Sequence, residues 1–259
     1  MNIRLLASII IFCGFFSEIR SDFNYDVGER VLSRIRDFTA SVEGATSVSY
    51  LLITLGIVNS TKPERVAQVA LFPISSVYHS FMRTIYVGDE QGNFIMSGHN
   101  DTSFSCPFFC LSAVDSNSHL IFNEYRVRDD GTLLTDQLLG TYPYDCRTRP
   151  WYTAVKSSKK NLWSPLYQNS GSSQPVITFV QPIFNFHTNK PPQFTGALAA
   201  DISLSQISEF LINSFTDEAS TRVFIIDKQS YILLGDSGGS PTSEMVNGVP
   251  VRSNQHFFS

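Results

Sequence analysis

The spacing of apolar residues changes after about residue 82, and this change most constrains the fold. Over residues 25–55 the apolar side chains recur at helical spacing, while most charged residues fall between them. That period predicts one long amphipathic helix. A second helix is expected over residues 62–82, with Pro63 near its start and Pro73 breaking or kinking it. The later apolar runs are shorter, and most of them predict strands.

Strands and turns make up most of the remaining chain. A hairpin is predicted from residues 84–87 and 93–96, because the polar stretch 88–92, with a glycine at each end, separates two apolar runs. A second hairpin, from residues 222–227 and 231–234, repeats that arrangement near the C-terminus. The other predicted elements are strands at residues 120–127, 163–167, 176–186 and 196–202, and helices at 152–158 and 203–215.

The N-terminus predicts export from the cell. Arg4 supplies a positive charge, and residues 5–16 are apolar except for Ser8. A helix that spans a bilayer needs about 20 residues, so residues 1–21 are predicted to form a signal peptide. An uncleaved anchor is the alternative. Two acceptor tripeptides agree with export and predict glycosylation at Asn59 and Asn100.

Three cysteines follow the predicted signal peptide, namely Cys106, Cys110 and Cys146. In an oxidising compartment one structural disulfide among them is expected, and its pairing is open. Cys106 and Cys110 have a CxxxC spacing, but no nearby histidine completes a zinc site. The sequence therefore predicts no metal and no cofactor.

Composition and motifs argue against two classes of function. Charged residues make up 16% of the chain, the net charge is -4, and the notable basic run is only the pair Lys159-Lys160, so a nucleic-acid partner is not expected. Residues 235–239 reproduce the stretch around the nucleophile of trypsin-like proteases, but no histidine lies in the matching context. A turn is the preferred interpretation, and the chain is predicted not to be an enzyme.

One segment, residues 144–152, concentrates groups that suit a small charged ligand. It places Arg149 beside Trp151 and Tyr152, five residues after Tyr144. A guanidinium fork can hold a carboxylate through two hydrogen bonds. Trp and Tyr add N–H and O–H groups on rigid bodies that exclude water. The alternative is a surface arginine stacked on structural aromatic residues.

Residues 145–152, with 163–167, 176–182 and 196–204, resemble the double-Cache family of extracellular sensor domains. The resemblance covers roughly residues 24–235. It implies an α/β (α+β) fold with a long N-terminal helix and two PAS-like antiparallel-sheet modules, of which the second is incomplete. The implied division is a helical segment at 22–80, a membrane-distal ligand-binding module at 81–215, and the truncated start of a membrane-proximal module at 216–259.

A subset of this family binds free amino acids, and the sequence matches its pocket motif. The resemblance implies that Arg149 and Trp151 hold the carboxylate of the ligand, with Tyr167 as a further hydroxyl donor. A cationic fork at one end of the ligand and a carboxylate at the other would make a site for a zwitterion, in which each buried charge has a partner.

A second set of residues is implied for the ammonium end of the ligand. The resemblance implies that Tyr144 and Asp201 hold the ammonium group, and Tyr152 matches the aromatic residue that follows the tryptophan. Asn169 stands where the family often has Asp, and this leaves Asp201 as the main anionic partner. The Asn169 carbonyl oxygen can still accept one hydrogen bond from an ammonium group.

The resemblance implies the extracellular ligand-sensing domain of a transmembrane receptor. Such a domain would bind a small amino acid or a related amine-bearing carboxylate, on the extracellular side of the plasma membrane. The membrane and an intracellular output domain, an enzyme being one option, would be reached through segments outside this chain, and a homodimer is a further expectation. The alternative is an interaction module without a free ligand, as in the auxiliary subunits of voltage-gated calcium channels.

Overall fold

The computed structural model describes residues 7–13, 21–57, 63–99, 109–115, 120–170, 175–185, 191–214, 221–227, 233–236, 243–246 and 249–252. The chain divides into two compact units. The central unit comprises Ser41–Pro165 and Ile177–Ile202, and the terminal unit comprises Met1–Ala40, Leu166–Val176 and Ser203–Ser259. Helices and antiparallel strands occur in both units, so the predicted α+β class is confirmed.

The helices agree with the sequence pattern, with one interruption. They are α1 (Ser21–Thr54), α2 (Pro63–Val66), α3 (Phe72–Val77), α4 (Pro150–Ser158) and α5 (Leu204–Ser214). A π-helical turn, Ala67–Leu71, joins α2 to α3 and lies directly before Pro73. Because proline has no N–H to give to the preceding turn, the ladder of hydrogen bonds is interrupted there. The second helix was expected to extend to residue 82, but it ends at Val77.

Most strands of the described chain belong to a single sheet. The strands, in chain order, are β1 (Ala7–Cys13), β2 (Thr84–Asp89), β3 (Phe94–His99), β4 (Phe109–Asp115), β5 (Ile121–Val127), β6 (Leu133–Pro143), β7 (Leu162–Trp163), β8 (Tyr167–Gln168), β9 (Pro175–Asn185), β10 (Gln193–Ser203), β11 (Thr221–Asp227), β12 (Leu233–Asp236), β13 (Ser243–Val246) and β14 (Val249–Arg252). The large sheet has the order β6-β5-β4-β3-β2-β10-β9-β7, and β8 pairs with β9.

The hairpin predicted around residues 88–92 is confirmed as β2 and β3. The strands pair antiparallel from Thr84↔Gly98 to Gly88↔Phe94. The turn is closed by the Asp89 carboxylate, which accepts hydrogen bonds from the backbone N–H groups of Gln91 (3.0 Å) and Asn93 (2.9 Å). A local side-chain acceptor of this kind offers the backbone an alternative to ladder bonds and favours a turn.

Alternation along the strands gives the sheet of the central unit two different faces. One face carries Ile85 and Ser97, and the Ser97 hydroxyl hydrogen-bonds that of Ser75 on α3 at 2.7 Å. The other face carries Tyr86 and Gly88 and is covered by residues 144–149, which we call the segment before α4. A Cβ atom at Gly88 would lie 2.8 Å from the Cys146 Sγ atom. The absence of a side chain there therefore allows this segment to lie on the sheet.

The terminal unit has its own small sheets. Strands β1, β11 and β12 pair antiparallel, with a bulge between β11 and β12, and β13 pairs with β14. Helix α5 packs on β12, since a Cβ atom at Gly235 would lie 2.6 Å from Ile207. The hairpin predicted here is present as β11 and β12, while residues 228–232 of its turn lie outside the described residues. The signal peptide proposed for residues 1–21 stays a prediction.

Several sequence predictions fall on residues outside the description. They include the glycosylation sites Asn59 and Asn100 and the cysteine Cys106. Cys146 is a free, buried thiol, so the expected disulfide does not involve it here. Within the described ranges, no helix is long and apolar enough to cross a membrane. The same residues contain no cluster of three or more His, Cys, Asp or Glu side chains that could hold a metal ion.

Candidate binding site

The segment before α4 has a rigid local structure. The Asp145 carboxylate caps a short 3-10 turn, Cys146–Thr148, by accepting from the Arg147 backbone N–H at 3.0 Å. It also accepts from Arg147 Nε and Nη2, both at 2.9 Å. Arg149 is extended, with φ -79° and ψ 148°, and Pro150 then begins the helix with a fixed φ suited to its first turn. This arrangement fixes the direction in which Arg149 and the following aromatic residues leave the backbone.

An aromatic layer joins this segment to the sheet. The Trp151 ring lies edge-on to Tyr86 with centroids 5.0 Å apart, and the Tyr144 ring lies 4.7 Å from Phe94 and 5.5 Å from Phe122. Trp151 is almost completely buried. Its side chain also hydrogen-bonds Tyr144, an interaction that lowers the pKa of this phenol. The layer excludes water from the sheet face beneath it.

Asp201 is a buried carboxylate on β10, with a relative exposure of 2%. Its Oδ1 atom accepts hydrogen bonds from the Tyr86 and Thr178 hydroxyls, both at 2.6 Å, and its Oδ2 atom accepts one from Thr84 at 3.2 Å. Burial raises the pKa of Asp201, and the three hydroxyl donors and the charge of Arg83 only partly offset this rise. A cation that reached this carboxylate would therefore favour its ionised form.

Two opposite charges act on the hydroxyl of Tyr144. Burial raises the pKa of this group above its ordinary value, the positive charge of Arg149 lowers it, and the negative charge of Asp201 raises it. Both charged side chains therefore lie within electrostatic range of one phenol. A guanidinium and a carboxylate whose charges both act on one hydroxyl would suit a small ligand that carries an anionic and a cationic group.

The structure thus brings together four of the residues predicted from the sequence: Tyr144, Arg149, Trp151 and Asp201. The ring of Tyr152 lies 5.2 Å from Trp151, but its hydroxyl donates to Glu90 Oε1 at 2.8 Å. Glu90 also pairs with Lys156 at 2.7 Å. The hydroxyl of Tyr152 is therefore bound in a different polar cluster from Asp201.

Two predicted residues, Tyr167 and Asn169, belong to the terminal unit. Tyr167 is buried in β8 and pairs with Val176 of β9, and Asn169 follows two residues later and is half-buried. Their proposed contacts with a ligand stay predictions. Sequence reasoning did not find Thr84, Tyr86 and Thr178, the hydroxyl donors around Asp201. The sequence indicated these residues only weakly. Thr84 and Tyr86 are a polar and an amphipathic residue on one face of a predicted strand, and this pattern does not identify a binding site.

The free thiol of Cys146 beneath this segment is structural. Burial raises the pKa of Cys146 to about 12, so the thiol is protonated at neutral pH. Since the thiolate is the nucleophilic form of cysteine, this residue does not supply a reactive group to the site.

One family model matches the middle of the chain. Residues 99–209 match the family model described as methyl-accepting chemotaxis protein-like, first PDC sensor domain. This match confirms, for that part of the chain, the resemblance to Cache-type sensor domains. No curated protein is significantly similar to this chain.

Solved structures with partial likeness to the chain are ligand-binding domains. The domain of Mlp24 with asparagine is 17% identical, with a TM-score of 0.48, and 84% of this chain and 70% of that chain are covered. The amino acid chemoreceptor PctB of Pseudomonas aeruginosa PAO1 with L-Gln is 17% identical, at TM-score 0.42 and coverages of 73% and 57%. The chemoreceptor CtaA of Pseudomonas fluorescens with L-serine is 18% identical, at TM-score 0.47 and coverages of 84% and 73%.

Proposed function

We propose, from the match of residues 99–209 to a PDC sensor-domain model, that this chain is the extracellular sensing part of a transmembrane receptor and that it binds a free amino acid. The ligand carries an ammonium group and a carboxylate on one carbon. The ligand-binding role is proposed for the central unit, on the sheet face under the segment before α4. The observation that supports this best is the buried carboxylate of Asp201 in electrostatic range of the same phenol as Arg149.

The two charged side chains have complementary roles in the proposed complex. The guanidinium of Arg149 takes the ligand carboxylate, because its planar fork matches two carboxylate oxygens. Asp201 takes the ammonium group, and the hydroxyls of Tyr86, Thr84 and Thr178 hold its oxygen atoms in place. Each end of the ligand then meets an opposite charge, so a ligand that lacks either end loses one charge-assisted contact.

Sensing requires more than affinity. A ligand shifts a protein between two conformations only by as much as its affinities for the two differ. In the proposed site the ligand bridges β10 to the segment before α4, so a conformation that separates these elements binds it less well. The proposed output lies in segments outside this chain, reached across the membrane.

A thermal-shift screen of the purified chain against amino acids tests the proposal. A ligand at about 100 times its Kd adds roughly 2.7 kcal/mol to the stability of the form that binds it. For a domain of this size that is a rise in Tm of roughly 5–10 °C. The rise is expected for wild type and for the control Arg128→Ala, which removes an exposed arginine, and is expected to be lost in Arg149→Ala. A folded wild-type chain that no amino acid stabilises would favour the interaction-module alternative.

A further inference from the structure

Tyr86 lies on a central strand of the large sheet, on the face that carries Asp201. The register of β2 with β10 places Tyr86 opposite Ala199 and Thr84 opposite Asp201. Residues directly opposite each other point to the same side of a sheet, and a long aromatic side chain can reach the diagonal neighbour. Because Ala199 is small, the Tyr86 side chain can lean across it, and its hydroxyl donates to Asp201 Oδ1 at 2.6 Å.

The ring of Tyr86 contacts the other half of the proposed site. The Trp151 ring lies edge-on to it with centroids 5.0 Å apart, and Phe94 packs beside it at 5.4 Å. Trp151 also lies over Gly88, on the same face of β2, since a Cβ atom there would lie 3.3 Å from Trp151 Cη2. The Tyr86 side chain, which is only 3% exposed, therefore joins the proposed partner of the ammonium group to a proposed partner of the carboxylate.

The link through Tyr86 is stiff. A tyrosine side chain has only two side-chain torsions, and both ends of this one are in contact, the hydroxyl with Asp201 and the ring with Trp151. The hydroxyls of Thr84 and Thr178 hold the same carboxylate from β2 and β9. Neither threonine carries a ring that could act as a spacer of this kind.

We propose that Tyr86 is a positioning residue that sets the distance between the groups for the ammonium and the carboxylate, so that the chain selects α-amino acids over isomers whose charges lie further apart. This inference rests on the proposed function, since it takes Asp201 and Trp151 as partners of the two ends of the ligand. An isomer with the amine at the far end of its chain meets both partners of a fixed site only by bending back, which costs conformational entropy.

Calorimetric titration with L-norleucine and 6-aminohexanoate tests this role, because the two ligands are isomers that differ in the position of the amine. We expect wild type to bind L-norleucine roughly ten- to hundredfold more tightly, the range for one hydrogen bond to a charged group. In Tyr86→Phe this ratio should fall roughly three- to tenfold, the range for a single hydrogen bond, because the ring stays but no longer holds Asp201. The matched control, Tyr50→Phe, removes a half-buried tyrosine hydroxyl from α1 and should leave the ratio unchanged.

A second variant separates the link from the loss of any one hydrogen bond. Thr178→Val removes the other hydroxyl that donates to Asp201 Oδ1 at 2.6 Å. It keeps the contacts of Tyr86 with Asp201 and Trp151. It should therefore weaken the binding of both isomers, and it should change their ratio less than Tyr86→Phe does.

The pH dependence of binding supplies a readout that lost packing would not change. Burial raises the pKa of Asp201, and the hydrogen bond from Tyr86 opposes that rise. Without this donor the pKa is higher, so the loss of L-norleucine affinity in acid should begin at a higher pH in Tyr86→Phe than in wild type. Arg83, Tyr144 and Arg149 also act electrostatically around this site, and the variant keeps all three.

The outcomes separate the role of Tyr86 from the proposed function. The positioning role is overturned by a wild-type ratio near one, by a ratio that Tyr86→Phe leaves unchanged or lowers no more than Thr178→Val does, or by coincident pH profiles. In each of these cases the binding of L-norleucine upholds the amino-acid site. Failure of L-norleucine to bind a folded wild-type chain overturns both proposals. Urea unfolding verifies that Tyr86→Phe is folded, as expected because the ring that packs on Trp151 is kept.

Discussion

At the residue scale, the two buried carboxylates of the central unit show how surroundings determine what a charge can do. Asp201 accepts hydrogen bonds from three hydroxyl groups, whereas burial is the cause of the pKa shift of Glu124. Burial raises the pKa of both groups. Each therefore gains from an approaching cation, and the hydroxyls at Asp201 also fix the orientation of its oxygen atoms.

Replacing Asp201 by Asn should abolish ligand binding without loss of stability. Burial raises the pKa of Asp201 in the folded chain above its unfolded value. The favourable contribution of Asp201 to the free energy of unfolding is thus present below the pKa that the group has in the unfolded chain. It is lost as the pH rises through the pKa that the group has in the folded chain. At neutral pH the neutral amide should leave the free energy of unfolding equal or higher, as measured by urea denaturation, while calorimetry finds no binding.

Two variants serve as controls for this experiment. Asp136→Asn removes an exposed carboxylate from β6 and should keep full binding. Asp201→Ala removes the acceptor of three buried hydroxyls and should be destabilised, since each unsatisfied group costs about 1–3 kcal/mol. Wild-type affinity in Asp201→Asn would remove Asp201 from the binding site.

Affinity for the amino acid should fall in acid. As the pH drops through the raised pKa of Asp201, the carboxyl group takes up a proton and loses its attraction for an ammonium ion. Below that pKa the affinity is expected to decline by up to about tenfold for each pH unit, because one proton must be displaced on binding. Calorimetric titrations between about pH 4 and 7.5 measure this slope, and an affinity that is constant over the range contradicts it.

At the element scale, the site depends on how closely the segment before α4 approaches β2. A Cβ atom at Gly88 would lie 2.8 Å from Cys146 Sγ and 3.3 Å from the Trp151 ring. Real Cβ atoms do not approach heavy atoms as closely as the first of these distances, so a side chain at residue 88 would displace the segment. The displacement would move Trp151 and Arg149 relative to Asp201.

Gly88→Ala should therefore lower both stability and affinity. Overpacking of this kind costs roughly 1–3 kcal/mol, measurable by urea denaturation. Adding Cys146→Ala removes the sulfur atom and should recover part of the loss, so the two changes should not be additive. Gly44→Ala is the matched control, since a Cβ there meets nothing within 4 Å, and in helix α1 it should raise stability by roughly 0.5–1 kcal/mol. Equal effects of Gly88→Ala and Gly44→Ala would contradict this packing.

Elements with a clear local pattern could be predicted from the sequence. The apolar stripe gave α1, and the glycines around residues 88–92 gave the β2–β3 hairpin. Strand β6 was not predicted, because its residues are mostly exposed or half-buried and lack alternation. Its strand conformation comes from pairing with β5, and a tertiary contact of this kind leaves no period in the sequence.

The site was predictable only in part, for a related reason. Arg149 and Trp151 lie close together in one short motif, so the sequence could indicate them. Tyr86 and Thr84 reach Asp201 from 115 and 117 residues away. Nothing in the local sequence of β2 identifies which distant strand will lie beside it, and the register of β2 with β10 supplies that information.

At the scale of the whole molecule, the proposed site makes ligand binding and folding interdependent. Its groups come from β2, β9, β10 and the segment before α4, all within the central unit. Such a site does not exist in the unfolded chain, so a ligand stabilises only the folded form. The formation of the site requires the closure of long loops, which carries an entropic cost that ligand binding helps to offset.

The central claim is that one site recognises both charged ends of an amino acid, and calorimetric titration of the wild-type chain with three related ligands tests it most directly. L-Norleucine carries both groups, hexanoate lacks the amine, and pentylamine lacks the carboxylate. We predict that L-norleucine binds and that each analogue binds at least about tenfold more weakly, because each lacks one of the two charge-assisted contacts. Binding of hexanoate or pentylamine as tight as that of L-norleucine, or no binding of L-norleucine to a folded chain, would contradict the claim.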